Sequence, residues 1–274
     1  MSISDALNYP FRNNNMLKIL PIALAYGIIL YVMTYGAIEN SIAVVCGASL
    51  AVLVFSMVIS GYYISALRRL QAGDENLPDV DFGKNVKDGV LVVLAGLLYF
   101  LPVIILVLVA FMLTGGMNMN SSDAAGGSIL VLCGALIGAI ILGIVLSAAM
   151  QVGIVRFAAE QSSSALFDVT GNWSIATSNF STVLGLWGRT FIIGLIGGIV
   201  SGIVTTILNT MFPGQTSPFF EPTLMFWLVS ALLNVAAYTI SLFIVLAQYH
   251  LIYRFGVELG IGTGEKSKNE PYNF

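Results

Sequence analysis

The residues able to do chemistry gather at one edge of otherwise apolar stretches. The only histidine of the 274-residue chain, His250, stands beside Gln248 and Tyr249, one turn before Arg254 and two before Glu258. A matching set, Gln151, Arg156 and Glu160, ends an earlier apolar stretch, and Arg68 with Arg69 ends a still earlier one. Two readings are open. In one, the arginines and the histidine form a polar vestibule for an anionic headgroup or a partner's carboxylate, which a guanidinium binds with a planar fork of donors. In the other, Glu160 and Glu258, four residues beyond Arg156 and Arg254, pair with them along the helix, while His250 and Tyr249 cap a last turn at a membrane boundary.

Most catalysis is excluded by what is missing. A single histidine allows no His-Glu-x-x-His zinc site and no multi-histidine metal cluster. There is no Gly-x-Ser-x-Gly elbow, no Gly-x-x-x-x-Gly-Lys phosphate loop and no Cys-x-x-Cys pair. The chain is read as a non-enzyme without metal or cofactor. Its composition excludes other classes: 9% charged and 57% hydrophobic residues, with a mean hydropathy of +0.91, against the roughly 25% charged residues of a soluble domain. A formal net charge of −3 removes nucleic acid as a partner, since that needs a basic face.

The elements that must position these groups are therefore membrane helices. About 20 apolar residues cross a bilayer, and the ranges 16–38, 42–67, 90–113, 129–155, 190–212 and 224–253 qualify. The first is too long for a signal-peptide core and lacks a cleavage site, so it is expected to be retained. The connections 39–41, 114–128 and 213–223 hold no Lys or Arg, and all eleven bases lie on the opposite side. The positive-inside rule places both termini and the longer loops in the cytoplasm. Glu39, Asp123 and Glu221 lie outside, leaving eleven acids against the eleven bases inside; this neutral face argues against a polybasic lipid-binding surface. The longest loops, 68–89 and 156–189, fall short of the roughly 50 residues of a folded domain. One membrane domain, 1–262, is followed by a polar tail, 263–274.

Each second span ends at an arginine, and each odd span has an aromatic lead-in: Tyr9-Pro10-Phe11, Asp81-Phe82, and the run containing Trp173, Ala176, Phe180, Leu184 and Trp187 at helical spacing. That run predicts one amphipathic helix in the headgroup layer. The fold class is all-α, with six transmembrane helices in three hairpins. These are either three copies of one unit about the membrane normal or hairpins sharing only the usual arginine and aromatic ends of membrane helices. Gly134 with Gly138, and Gly194, Gly198 and Gly202, form ladders expected to make close helix contacts, preferably within the chain and otherwise with a second copy. Pro21 and Pro102 should bend their spans or free a carbonyl. Cys46 and Cys133 read as buried apolar thiols, a disulfide between them being the alternative. The membrane midplane offers only amides, hydroxyls and glycines, Ser147, Thr205, Thr206, Asn234, Thr239 and Ser241 among them, which disfavours proton or sodium coupling.

Tyr9-Pro10-Phe11, Leu67-Arg68-Arg69, Gly73-Asp74-Glu75-Asn76-Leu77-Pro78 with Asp81 and Asp88-Gly89, and Tyr249-His250-Leu251-Ile252-Tyr253-Arg254 together resemble an uncharacterised prokaryotic integral-membrane family, DUF4013. The resemblance spans nearly the whole chain. Where the family pattern carries a Trp soon after Leu-Pro, this chain has Val80 and Phe82. The resemblance implies a multi-span protein of the prokaryotic inner (plasma) membrane and supplies no catalytic residues.

Two functions follow as expectations: a non-catalytic scaffold or accessory subunit, with lipids and other subunits or a second copy as partners; or an uncoupled channel or carrier for a small neutral or lipid-like solute. The orientation is tested by fusions after residue 274. A fluorescent protein there should mature and alkaline phosphatase there should be inactive; the opposite pattern would put the basic side outside.

Overall fold

A computed structural model describes residues 2–38, 41–114, 122–212 and 223–262. The tail 263–274, Glu39, Glu221 and the side chains of Asp123 and Thr205 lie outside what is described. Among the described residues the chain is helical without strands. The helices are α1 (Ile3–Asn8), α2 (Asn15–Ile38), α3 (Ile42–Gln71), α4 (Phe82–Leu113), α5 (Ser122–Glu160), α6 (Ser163–Phe167), α7 (Val169–Ser178), α8 (Phe180–Met211) and α9 (Leu224–Glu258), with a 3-10 segment, Tyr9–Asn14, between α1 and α2. Six helical stretches are long and apolar enough to cross a membrane: Ile3–Met33, Ile42–Gln71, Phe82–Leu113, Val131–Glu160, Phe180–Val200 and Leu224–Glu258.

Local chemistry sets the helix ends. Asp81, Asp168 and Thr223 accept hydrogen bonds from the backbone N–H groups of Lys84, Gly171 and Phe226 and so cap α4, α7 and α9. Helix α3 stops at Gly73, whose φ of 82° lets its N–H reach the Leu70 carbonyl while Asp74 N–H reaches Arg69. Helix α9 stops in the same way at Gly260. Pro21 and Pro102 each lie within one uninterrupted helix.

Helices α3, α5 and α9 each touch the other two. Around them α2 packs on α3 and α9, α4 on α3 and α5, and α8 on α9, while α7 touches both α5 and α8. The buried core lies toward the end that carries the bases: Leu67, Tyr99, Val152, Leu166, Leu186 and Phe255 form one cluster, and Tyr9, Ile19, Tyr62, Leu70, Leu77 and Leu246 another. Away from that end, Leu50, Leu101, Ile140, Ile199 and Leu232 are exposed, as lipid-facing side chains would be.

The packing glycines differ from expectation. A Cβ at Gly134, Gly198 or Gly202 would meet nothing within 4 Å, and one at Gly138 or Gly194 would meet only the ends of Leu106 and Gln248, at 3.6 and 4.0 Å. Among the described residues the ladders make no backbone-close contact. The tight contact is between α3 and α4, where a Cβ on Gly61 would overlap the Asn85 carbonyl and one on Gly89 the Met57 carbonyl. Gly89 closes the loop 68–89 expected from hydropathy, but capping by Asp81 draws it into α4. The amphipathic helix is also corrected, because Asn179 breaks it and gives Phe180, Leu184 and Trp187 to the spanning helix α8. Cys46 and Cys133 are free and exposed rather than buried or bonded.

Gly89→Ala forces α3 and α4 apart, at a cost of about 1–3 kcal/mol for overpacking, whereas Gly198→Ala adds a helix-favouring methyl in open space. Thermal unfolding of the purified protein should show a clear loss for the first and little or a slight gain for the second. The reverse ranking would return the close contact to the ladder.

Candidate functional site

The polar groups at the basic end form three internal locks. The first begins with Asn13 and Asn14, whose left-handed φ values of 50° and 62° turn the chain, a conformation asparagine tolerates better than most residues. The turn carries the Asn15 side chain inward, fully buried. Its amide nitrogen donates to the carbonyls of Tyr9 (3.3 Å) and Glu75 (3.0 Å), and its oxygen accepts from Leu77 N–H (2.8 Å). Lys18 donates to the Leu77 carbonyl (2.7 Å), and the Tyr62 hydroxyl to that of Pro78 (3.2 Å). The loop 72–81 is thereby tied to the start of α2 through its backbone. Arg12 bonds both Glu75 oxygens at 2.9 and 3.0 Å, and Lys18 pairs with Asp79 at 2.9 Å. Two loop carboxyls titrate below the ordinary range: Asp74 because Asn76 donates to it from backbone and side chain, and Asp79 because Lys18 does.

The second lock joins α3 to α4. Ser65 donates to Asn85 Oδ1 at 3.1 Å, and the Arg68 guanidinium pairs with Asp88 with little exposure of either. The Phe157 ring of α5 covers that guanidinium, 5.0 Å from its centroid, a cation–π contact. Arg69 reaches Asp74 at 3.3 Å.

The third holds α6 and α7 on the bundle. Arg156 donates to Glu160 (2.9 Å), Asp168 (3.0 Å) and Asn172 Oδ1 (2.9 Å). Asn172, fully buried, donates to the Tyr99 hydroxyl and the Ala165 carbonyl, both at 2.8 Å, and Tyr99 donates to the Leu166 carbonyl at 3.3 Å. Gly153 gives Asn172 room, since a Cβ there would lie 2.7 Å from its amide nitrogen. Arg156 holds Asp168 below the ordinary carboxylate range, helped by Gly171 N–H.

The expected vestibule residues are thus separated. Arg156 and Glu160 line a cleft of ≈ 550 Å³ with Asn179 and the turn at Gly260 and Gly262. His250 and Arg254 line a different hollow, of ≈ 100 Å³, and Arg254 with Glu258 a cleft of ≈ 460 Å³. Gln151 is interior, its Oε1 without a partner, and Gln248 approaches Gly194. Tyr9, Pro10, Leu77 and Pro78 are buried at the first lock, Phe11 lies edge-on to Phe243 at 5.0 Å, and Asp81 is spent on its cap. Asp88 carries a lock from a position that the family resemblance already named, whereas Asn15, Tyr99 and Asp168 carry locks that the sequence motifs do not reveal. Their only signal was polarity in the lead-in segments, or a tyrosine in a span.

A family model described as a protein of unknown function, DUF4013, matches residues 44–210, more than half of the chain. The match takes in Leu77, Pro78 and Asp81 and stops short of Tyr9-Pro10-Phe11 and 249–254, so it is narrower than the resemblance read from motifs. No curated protein and no solved structure gives a significant match.

Because its folded-state pKa lies below the ordinary value, ionised Asp168 stabilises the docked α6–α7 segment at every pH above about 4. That stabilisation is lost as pH falls through the lowered value. Protection of the α7 amides, taken relative to the intrinsic exchange rate at each pH, should be high at neutral pH, fall below about pH 4, and be low throughout in Asp168→Ala. Unchanged protection in the variant would show that Arg156 does not hold the segment through Asp168.

Proposed function

The chain belongs to the DUF4013 family, and we propose that it serves as a non-catalytic scaffold or accessory subunit of an assembly in a prokaryotic plasma membrane. In this reading α3, α5 and α9 form the inner layer of three hairpins, with both termini and the basic end in the cytoplasm. The supporting observation is the use made of the polar groups: Arg68, Arg156, Asn15, Asn85 and Asn172 bond to neighbouring segments of the same chain. Such bonds fix the loop 72–81 and helices α6 and α7 as a rigid platform. Its outward side chains include Val80 and Trp173, flanked by Phe82 and Phe180 at the starts of α4 and α8, all exposed, apolar groups suited to another subunit or the interfacial layer.

The span interiors support packing over passage. Ser147, Thr206, Asn234, Thr239 and Ser241 each donate to a carbonyl three or four residues back in their own helix, so they need no aqueous lining to satisfy them. Extraction from the native membrane in mild detergent should recover the chain with partners in fixed stoichiometry. Recovery of the bare chain, with solute flux in reconstituted vesicles, would overturn the proposal in favour of a carrier.

A further inference from the structure

Eleven acids balance eleven bases at the basic end, but the pairing is uneven. Among the described residues, seven acids gather on five bases, Arg12, Lys18, Arg68, Arg69 and Arg156. Lys84 and Lys87, in the first turns of α4, pair with none of them and are exposed. The acid closest to them in sequence without a base is Asp81, whose Oδ1 accepts from the Lys84 N–H at 3.1 Å. It sets one negative charge against two positive ones. The neutral count therefore combines a paired interior with a positive edge on α4.

The register of α4 gives that edge its setting. Asn85 and Asp88 turn into the crossing with α3, 1% and 6% exposed. The same register leaves Lys84 and Lys87 outward, three residues apart and so neighbours on the helix surface, with Cβ atoms about 5–6 Å from each other. Leu94 and Leu98 follow Lys87 by seven and eleven residues, which keeps them on one face, and both are exposed. Eleven residues of helix advance about 16 Å, the depth of one leaflet of a roughly 30 Å hydrocarbon core. Phe82, also exposed, flanks the lysines. Positive charge at the head of an apolar strip one leaflet deep matches an anion that carries an acyl chain. A free phosphate ester would use the lysines and leave the leucines unmatched, and a zwitterionic head would bring its own ammonium against them.

We propose that the outer face of α4 binds one anionic phospholipid, its phosphate on Lys84 and Lys87 and an acyl chain along Leu94 and Leu98. Each ammonium meets the phosphate as a point charge, on a stem that lies along apolar surface while the charge stays at headgroup level. The inference requires only that α4 spans the membrane, and it stands whether or not a partner protein is found.

The test is native mass spectrometry of the full chain in detergent, titrated with phosphatidylglycerol and phosphatidylcholine of the same acyl chains, with soluble glycerol phosphate as a competitor. Phosphatidylglycerol should fill one saturable site more tightly than phosphatidylcholine, and glycerol phosphate should not displace it. Lys84→Gln and Lys87→Gln should each weaken it about fivefold, and together about thirtyfold, the worth of two bases near an anionic lipid. Replacing both lysines with arginine should preserve binding. Arg254→Gln removes an equally exposed base at the end of α9, where no second base lies within a turn, and should leave binding unchanged. Because both lysines are exposed, their variants should fold, which an unaltered unfolding temperature checks. Equal binding of the two lipids, displacement by glycerol phosphate, no loss in the double glutamine variant, or an equal loss in Arg254→Gln overturns the proposal.

Discussion

Where α3 crosses α4 there is no room for a side chain on either Gly61 or Gly89, and the two backbones lie against each other. In lipid, helices gain nothing from hiding apolar surface from one another, so association depends on close packing and polar bonds. This crossing supplies both. The approach brings Ser65 within reach of Asn85 and Arg68 within reach of Asp88. An ion pair so little exposed is favourable only with good geometry, because both charges give up hydration. The glycines hold the geometry and the pair holds the register. Phe157 closes over the guanidinium and brings α5 into the same contact.

Three buried amides repeat the theme. Asn15, Asn85 and Asn172 each lie on a segment leading toward an outer helix, and each bonds to a segment distant in sequence. An amide both donates and accepts while remaining neutral, and Asn15 uses this to tie backbone to backbone without the cost of burying a charge, while Asn85 accepts from Ser65 through its oxygen. Asn172 uses both ends to link Arg156, Tyr99 and the Ala165 carbonyl. Charge enters where it can be balanced at once, as with Asp168 against Arg156.

Spans and side-chain polarity were legible in the sequence because they are set by composition along the chain, which hydropathy measures directly. Contacts were not. A glycine ladder and a lone glycine differ only in what lies opposite, and Gly198 faces open space while Gly89 faces a carbonyl. Asn172 looked like one of several polar residues on an amphipathic helix, and nothing local distinguishes it from Asn179; its burial depends on Gly153 and Tyr99, far off in sequence. The Arg156–Glu160 pair was legible because a four-residue spacing on a helix is local geometry. Helix ends were read short at Asp81 and Asn179 because caps, not hydropathy, decide them.

The first lock recognises main chain rather than side chains. Asn15, Lys18 and Tyr62 bond the backbone groups of Glu75, Leu77 and Pro78, and within the loop only Leu77 and Pro78 are buried. Shape and surface are therefore separable in this loop. Of the exposed positions, 80 is free to change in charge and size while Asn76 and Asp79 stay engaged with Asp74 and Lys18 and the path of the chain stays where Asn15 holds it. A substitution of Val80 would therefore change the chemical face that the loop presents without moving the loop itself.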